Sequence, residues 1–182
     1  MSILVGNTVL HCFKAQHADM LYSLINRQEV RMGMSDSAKI PYESHLNWVK
    51  ENLIESSKVH LFMVISNDEA LGVALIKNLT NDSAELGIMV ADTIDTKKML
   101  LTSKLLTGIL FYVFHKMHFQ NLEIRILPGN ENSLRTAKKI GAELQCQDET
   151  YQYFLLTKTK YKSYPLNKLL ANRYKPIMIN HD

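Results

Sequence analysis

Few residues of this 182-residue chain stand in a spacing that is typical of a metal site or an activated nucleophile. Cys12 and Cys146 lie far apart and lack the Cys-x-x-Cys spacing of zinc and redox motifs, and His60, His115 and His118 have no partner at metal-ligand spacing. The chain has 7 glycines, whereas average usage would supply about 13. We therefore expect no metal site, and few places where the backbone could wrap a phosphate.

The spacing of apolar residues changes along the chain, and it predicts the helices and strands that must position any site. Apolar residues at helical spacing predict helices over residues 15–26, 41–56, 101–117 and 132–140, the last of them followed by Gly141. Apolar runs bounded by polar turns predict strands over residues 59–65, 70–77, 84–90, 122–127, 142–147 and 151–157, after a short apolar start at 8–13. The order of these elements predicts an α+β domain with a mixed sheet.

Two of the predicted connections define the sheet. Short turns join the three strands between residues 59 and 90, which predicts an antiparallel meander. The long helix at 101–117 then leads to the strand at 122–127, which is expected to lie parallel to residues 84–90 by a right-handed crossover. We expect this domain to span residues 1–160 and a basic C-terminal tail to follow at 161–182.

The most specific pattern of the chain lies at residues 127–142. Asn130 and Ser133 form an Asn-x-x-Ser pair after a strand end, helical sequence follows, and Lys139 stands two residues before Gly141. This stretch resembles the signature of the GNAT N-acetyltransferase family. The resemblance extends over about residues 8 to 160, and implies the acyl-CoA N-acyltransferase fold, whose mostly antiparallel sheet splays at one parallel crossover.

A second pattern resembles one branch of that family. Arg31 and Met34, followed by His45-x-x-Trp48, resemble the start of the RimJ/RimL-type acetyltransferases. Within that branch they are similar to the enzymes that acetylate the amino group of a nucleotide-linked sugar in pseudaminic acid synthesis. The resemblance implies that Arg31, His45 and Trp48 line a nucleotide-sugar pocket, Trp48 by stacking and Arg31 by pairing with phosphate. The alternative for Trp48 is a core position in an amphipathic helix.

The resemblance also implies acetyl-CoA as the co-substrate. Its pantetheine arm is expected to pair with backbone groups of Ile88, Met89 and Val90 as an added strand would, and one N–H there would face the thioester oxygen. Asn130 and Ser133 are expected to contact the coenzyme. The alternatives are that the first three are ordinary buried strand residues, and that Asn130 is a helix cap.

The pyrophosphate site departs from the family pattern. The family wraps this group with a glycine-containing loop at the start of the crossover helix, whereas this chain has Asp95, Thr96, Lys97, Lys98 and Met99 there and neither glycine. A helix N-terminus still offers free N–H groups, and the lysines could supply positive charge. The alternative is an ordinary helix start with Thr96 as its cap and the lysines in solvent.

Two groups are expected to move protons. Glu85 opens the central strand, and its carboxylate is the candidate base for the amine, directly or through water. The family places a tyrosine as the general acid where this chain has Ala137, so Tyr151 or Tyr153 is the candidate substitute. The alternatives are a charged residue on an exposed strand face for Glu85 and half-buried strand aromatics for the tyrosines.

The composition of the chain limits the classes of function that it could have. The net charge of +3 is too mild for a nucleic-acid-binding footprint, and no stretch of about 18 apolar residues could span a membrane. No signal-peptide pattern is present, so we expect a cytoplasmic protein. The family resemblance implies an enzyme that acts on a small-molecule amine. The sequence leaves open a homodimer, a protein N-terminus or small amine as acceptor, an acyl-carrier-protein donor, and a binding module with a degenerate coenzyme loop.

Overall fold

The computed structural model describes residues 1–91 and 95–180, and only the backbone of residues 95–98. Its helices are α1 (Ala18–Ile25), α2 (Gln28–Arg31), α3 (Tyr42–Val49), α4 (Asp95–Phe111), α5 (Glu131–Lys139), α6 (Lys158–Ser163) and α7 (Pro165–Tyr174). Its strands are β1 (Ser2–Val5), β2 (Thr8–Cys12), β3 (His60–Ser66), β4 (Glu69–Lys77), β5 (Ser83–Val90), β6 (Asn121–Ile126), β7 (Glu143–Gln147), β8 (Gln152–Thr157) and β9 (Ile177–Ile179). Wider π-helical turns extend α3 over Lys50–Ile54 and α4 over Tyr112–Lys116.

The described strands form one sheet in the order β7-β8-β6-β5-β4-β3-β2-β1-β9. Neighbouring strands in this order are antiparallel except β5 and β6, which run parallel with α4 between them in the chain. The predicted meander and the predicted parallel crossover are therefore confirmed. The α+β fold with one parallel pair in a mostly antiparallel sheet is the predicted fold class.

Helices cover both faces of the sheet and pack against it through apolar side chains. On one face α4 packs over β1 to β5, and the fully buried Leu105, Ile109 and Phe114 belong to the same core as Phe62 and Leu122. This burial explains why the crossover helix carries apolar residues around most of its circumference.

The opposite face is covered by α1 and α3 mainly over β3 and β4. A second core joins Leu21 and Leu24 of α1 and Val49 of α3 to Met63 and Val73 of the sheet. On this face, which we call the helix-pair face, the side chains of Lys77 and Arg125 keep 41% and 38% of their exposure. The helix pair therefore does not fully cover the sheet at Lys77 and Arg125.

Described residues beyond residue 160 pack against the rest of the chain. β9 pairs antiparallel with β1, and Tyr161 and Tyr174 are buried in the core beneath α4. Asn167 is also buried, and its side-chain amide donates to the carbonyl oxygen of Ile140 at 2.8 Å. The boundary predicted at residue 160 is therefore not where packing ends. Helices of six and ten residues and a three-residue strand are too short to give a clear period in the sequence.

Gly141 gives a stability prediction with a matched control. It follows α5 with φ of +87°, and a Cβ there would lie 2.7 Å from the Tyr164 ring, whereas Gly129 has φ of +83° and open space around a Cβ. Gly141→Ala is therefore expected to lower the free energy of unfolding by about 2–4 kcal/mol, through backbone strain and the ring collision together. Gly129→Ala, which adds only the backbone strain, is expected to cost about 1–2 kcal/mol. Urea denaturation of both variants measures the difference, and equal losses would contradict the role of Tyr164.

Candidate functional site

The parallel strands β5 and β6 separate halfway along their length. Their register pairs Ser83 with Asn121 and ends with Leu86 opposite Ile124, although β5 continues to Val90. On its other side β5 stays paired with β4 along its length up to Val90. Residues 87–90 therefore present one free backbone edge towards β6, and we call this opening the fork.

The direction of the backbone groups in the fork follows from the β4–β5 ladder. The N–H of Ala91 donates to the carbonyl oxygen of Leu71 on the β4 side at 2.9 Å. Because backbone groups of successive strand residues point to alternate sides, Met89 and Gly87 face β4, whereas Ile88 and Val90 face the fork. The carbonyl oxygen of Met89 agrees, since it lies 3.3 Å from the Cβ position of Gly72 in β4.

Of the three residues predicted to bind the pantetheine arm, only Ile88 and Val90 thus have free backbone groups. Val90 lies at the end of β5 that leads to α4, and Ile88 lies deeper in the fork, nearer to its base at Leu86. The side chains of Ile88 and Val90 pack on the core beneath α4, and that of Met89 packs on the core of the helix pair. An extended ligand would therefore meet backbone rather than side chains along this edge.

The predicted pyrophosphate site lies partly outside the described residues. The backbone of α4 begins at Asp95, but the side chains of Thr96, Lys97 and Lys98 are not among those described. Met99 lies on the surface with 65% of its area exposed. The predicted roles of these residues in binding the coenzyme stay predictions.

Asn130 is the N-cap of α5. Its side-chain oxygen accepts a hydrogen bond from the N–H of Ser133 at 3.2 Å, as the alternative interpretation of this pair predicts. Its side-chain nitrogen lies 3.6 Å from the Cβ position of Gly33. The segment that follows α2 therefore reaches the start of α5, just beyond the end of β6.

Glu85 lies on the helix-pair face at the base of the fork and is 4% exposed. One carboxylate oxygen lies 3.2 Å from Lys77 Nζ, and the other accepts from Arg125 Nη2 at 2.9 Å and Asn78 Nδ2 at 2.7 Å. The expectation of an exposed strand-face charge is therefore not met, because the carboxylate is buried among three donors. Its role as a base stays a prediction.

Tyr151 and Tyr153 lie beside the fork on the same face of the sheet as Arg125, with their ring centroids 6.2 Å apart. The hydroxyl of Tyr153 donates to Asp148 at 2.6 Å, and this hydrogen bond raises the pKa of Tyr153 and lowers that of Asp148. The same carboxylate accepts from the N–H of Tyr151 at 2.7 Å. The proton of the Tyr153 hydroxyl is therefore engaged by Asp148. The role of Tyr151 as the acid stays a prediction.

The predicted acceptor residues are brought to one side of the sheet but not into one pocket. Arg31 donates from Nε to the carbonyl oxygen of Asn26 at 3.2 Å and from Nη1 to that of Ser37, so it holds the segment between α2 and α3. His45 is buried, and its Nε2 donates to the carbonyl oxygen of Ala18 at 2.9 Å, which ties α3 to α1. Trp48 keeps 38% of its exposure on α3.

Four residues of this region were missed from the sequence: Lys77, Asn78, Arg125 and Asp148. Arg125 carried a usable signal, since it is a charged residue between two isoleucines of a predicted strand. Ala137, which stands where the family places a tyrosine, is 2% exposed in the core and cannot reach the fork. Among the described side chains, those of residues 1–91 and 99–180, no group of three His, Cys, Asp or Glu residues could hold a metal ion.

A groove of about 240 Å³ lies elsewhere, between α1 and the turn that joins β3 to β4. Arg27 and Glu69 form an ion pair of 3.3 Å within its lining. None of the predicted site residues contributes to it. No helix in the described part of the chain is long and apolar enough to cross a membrane.

A family model matches most of the chain. Residues 7–143 match the model of the acetyltransferase (GNAT) domain. Among curated proteins, the chain is 20% identical to the acetyltransferase PseH of Campylobacter jejuni over 151 residues, which cover 83% of this chain and 92% of that protein.

Solved structures give the same fold at low identity. The structure of apo FdhC, a nucleotide-linked sugar GNAT, matches 96% of this chain and 98% of its own, with a TM-score of 0.75 and 17% identity. Spermidine N-acetyltransferase from Vibrio cholerae, in complex with coenzyme A and spermine, matches 85% of this chain and 97% of its own, with a TM-score of 0.71 and 12% identity. PseH in complex with acetyl coenzyme A matches 81% of this chain and 96% of its own, with a TM-score of 0.60 and 18% identity.

Proposed function

The chain belongs to the GNAT acetyltransferase family, and from that premise we propose that it transfers the acetyl group of acetyl-CoA to the primary amine of a nucleotide-linked amino sugar. The observation that carries the donor half is the free edge of β5 in the fork. The acceptor half is supported by the likeness to PseH and FdhC and by the open area beside the fork on the helix-pair face.

The fork fits the acyl donor by backbone chemistry. Acetyl-CoA supplies an activated acetyl thioester on an extended amide-containing arm, which can pair with a strand edge as an added strand does. In our proposal Val90 binds the arm, and Ile88, deeper in the fork, donates its N–H to the thioester oxygen. A fixed donor at that position stabilises the negative charge that develops as the amine attacks.

The acceptor would approach from the helix-pair face. Gly87, Glu85 and Met89 have alternating positions on β5 that direct them to this face, and Gly87 offers space because it has no side chain. Tyr151 is the candidate that returns a proton to the departing thiolate. Glu85, the base predicted from the sequence, is buried on this face with its oxygens engaged by Lys77, Asn78 and Arg125.

We propose a direct role in acceptor binding for Trp48 and an indirect one for Arg31 and His45. Trp48 is exposed enough to stack on the sugar or the base of the acceptor. Arg31 and His45 already bind backbone carbonyl groups, so their support for the acceptor site is indirect, through the loop and the helix pair that they hold. Membership of the RimJ/RimL-type branch, a homodimer and a cytoplasmic location remain predictions from the sequence.

An acceptor panel tests the substrate class. Free thiol is measured after mixing the protein and acetyl-CoA with a nucleotide-linked amino sugar, the same sugar without the nucleotide, spermidine, or a peptide with a free N-terminus. We expect the kcat/KM for the nucleotide-linked sugar to exceed that for each other amine by at least about 100-fold, since most contacts of the nucleotide are lost in the smaller acceptors. Preference for the peptide or for spermidine would reject the acceptor and keep the enzyme class. No thiol release with any amine, and no coenzyme A binding, would instead favour a binding module.

A further inference from the structure

Glu85 is bound by donors from two neighbouring strands at the place where the fork begins. Lys77 ends β4, Asn78 follows it, and Arg125 belongs to β6. The carboxylate of this single β5 residue therefore links β4, β5 and β6. With three donors around its two oxygens, it is held in one orientation.

Arg125 occupies a special position in this set. It is the first residue of β6 after Ile124, whose partner Leu86 ends the paired part of β5 and β6. Its guanidinium reaches back across the gap between the strands to Glu85, which precedes Leu86. The ion pair thus joins the last paired residues of β5 to the first residue of β6 that is not paired with β5, at the base of the fork where the backbone ladder ends.

The contact of Lys77 with Glu85 differs from that of Arg125, because it joins two strands that are already paired. Lys77 and Glu85 are direct neighbours in the β4–β5 ladder, which continues to Val90 and Gly72 without the ion pair. Replacing Lys77 by an uncharged residue removes one positive charge beside the carboxylate, but it removes no contact between β5 and β6. Removal of Arg125 takes away a charge and that contact, and leaves a buried carboxylate with fewer partners.

We propose that Arg125, acting through Glu85, is a positioning residue that sets the separation of β5 and β6 at which the fork receives the pantetheine arm. This inference rests on the proposed function for its ligand, acetyl-CoA. In this proposal Glu85 binds Arg125 and so holds β6 in position at the base of the fork. Because its oxygens are engaged by Arg125, Lys77 and Asn78, Glu85 is not required as the group that removes a proton from the amine.

The test compares Arg125→Gln with Arg125→Lys and the control Lys77→Gln. We expect Arg125→Gln to raise the Kd for coenzyme A and the KM for acetyl-CoA about tenfold, while kcat at saturating acetyl-CoA changes by less than about threefold. Arg125→Lys, which keeps one charged donor, is expected to restore part of the binding. Lys77→Gln is expected to leave both constants within about twofold of the wild-type values.

Two readouts separate positioning from general damage. The amide NMR shifts of residues 87–90 are expected to move in Arg125→Gln and not in Lys77→Gln, with the pH dependence of kcat unchanged in both. Equal effects of the two variants on coenzyme binding, or unchanged binding in Arg125→Gln, would overturn the inference. If Arg125→Gln does not fold, Arg125→Lys carries the same comparison, with an expected rise in Kd of about four- to fivefold, and a rise no larger than that of Lys77→Gln would overturn the inference.

Failure of the proposed function has a different result. If the wild-type protein neither binds coenzyme A nor releases thiol from acetyl-CoA, the donor assignment is rejected for every variant. In that case the Arg125 proposal is overturned as well, even where the NMR shifts show that Arg125 controls the strand separation. A wild-type protein that binds coenzyme A leaves the comparison of Arg125 with Lys77 as the deciding measurement.

Discussion

Replacing the backbone amide of Ile88 by an ester is expected to lower kcat by about 10²–10³-fold, the loss seen when one oxyanion donor is removed from an acyl-transfer site. The N–H of Ile88 faces the fork rather than β4, so the ester removes a donor to the substrate and no donor of the β4–β5 ladder, in which only the carbonyl oxygen of Gly87 becomes a weaker acceptor. The KM for acetyl-CoA is expected to stay within about threefold, because this donor acts mainly in the transition state. Incorporation of the matching α-hydroxy acid and steady-state kinetics measure both constants.

The same change at Val90 is the matched control. Its N–H also faces the fork but lies nearer to α4, where the coenzyme arm enters. The Val90 ester is expected to raise the KM for acetyl-CoA by about three- to tenfold with a small change in kcat. Equal losses of kcat at Ile88 and Val90, or no loss at Ile88, would contradict the assigned direction of the arm.

Gly87→Leu is expected to lower kcat/KM for the acceptor by about 100-fold, because a small displacement of one reactant from its attack position can have an effect of this size. A Cβ at Gly87 would lie 3.9 Å from the Leu75 side chain, an ordinary contact, so the substitution has room on the helix-pair face. The added side chain would occupy the space through which the amine must approach. Kinetics at saturating acetyl-CoA, with the acceptor varied, measure the loss.

Gly87→Ala and coenzyme binding control this second prediction. The single methyl group is expected to lower kcat/KM for the acceptor by less than about tenfold. Calorimetry is expected to give Kd values for coenzyme A within about twofold of the wild-type value in both variants, since the donor binds the backbone edge rather than this face. A Leu variant that loses coenzyme binding instead would contradict the separation of donor and acceptor sides.

The parts of the fold that local pattern dictates could be predicted from the sequence. The meander follows from apolar runs separated by turns such as Asn67-Asp68, whose φ angles of 51° and 59° suit a two-residue hairpin. Gly141 at the end of α5 has the left-handed conformation expected there. β1 and β9 were missed because strands of four and three residues carry little periodicity, and their pairing joins opposite ends of the chain.

The site could be predicted only in part, because its contacts join residues that are distant in sequence. The strand that carries Ile88 and Val90 was identified, but the direction of each backbone group depends on the register with β4. Glu85 was singled out as a carboxylate, but its burial depends on Arg125, forty residues away on β6. Arg31 and His45 were expected at a ligand and bind backbone carbonyl groups instead, a role that residue type and spacing do not reveal.

The central claim is that the free edge of β5 binds the arm of acetyl-CoA. The most direct measurement is a titration of isotope-labelled protein with coenzyme A, followed through the amide NMR signals of residues 87–90. We expect saturable downfield shifts for Ile88 and Val90, whose N–H groups face the fork, and much smaller shifts for Gly87 and Met89, whose groups face β4. Absence of saturation at millimolar coenzyme A, or shifts confined to residues outside the fork, would contradict it.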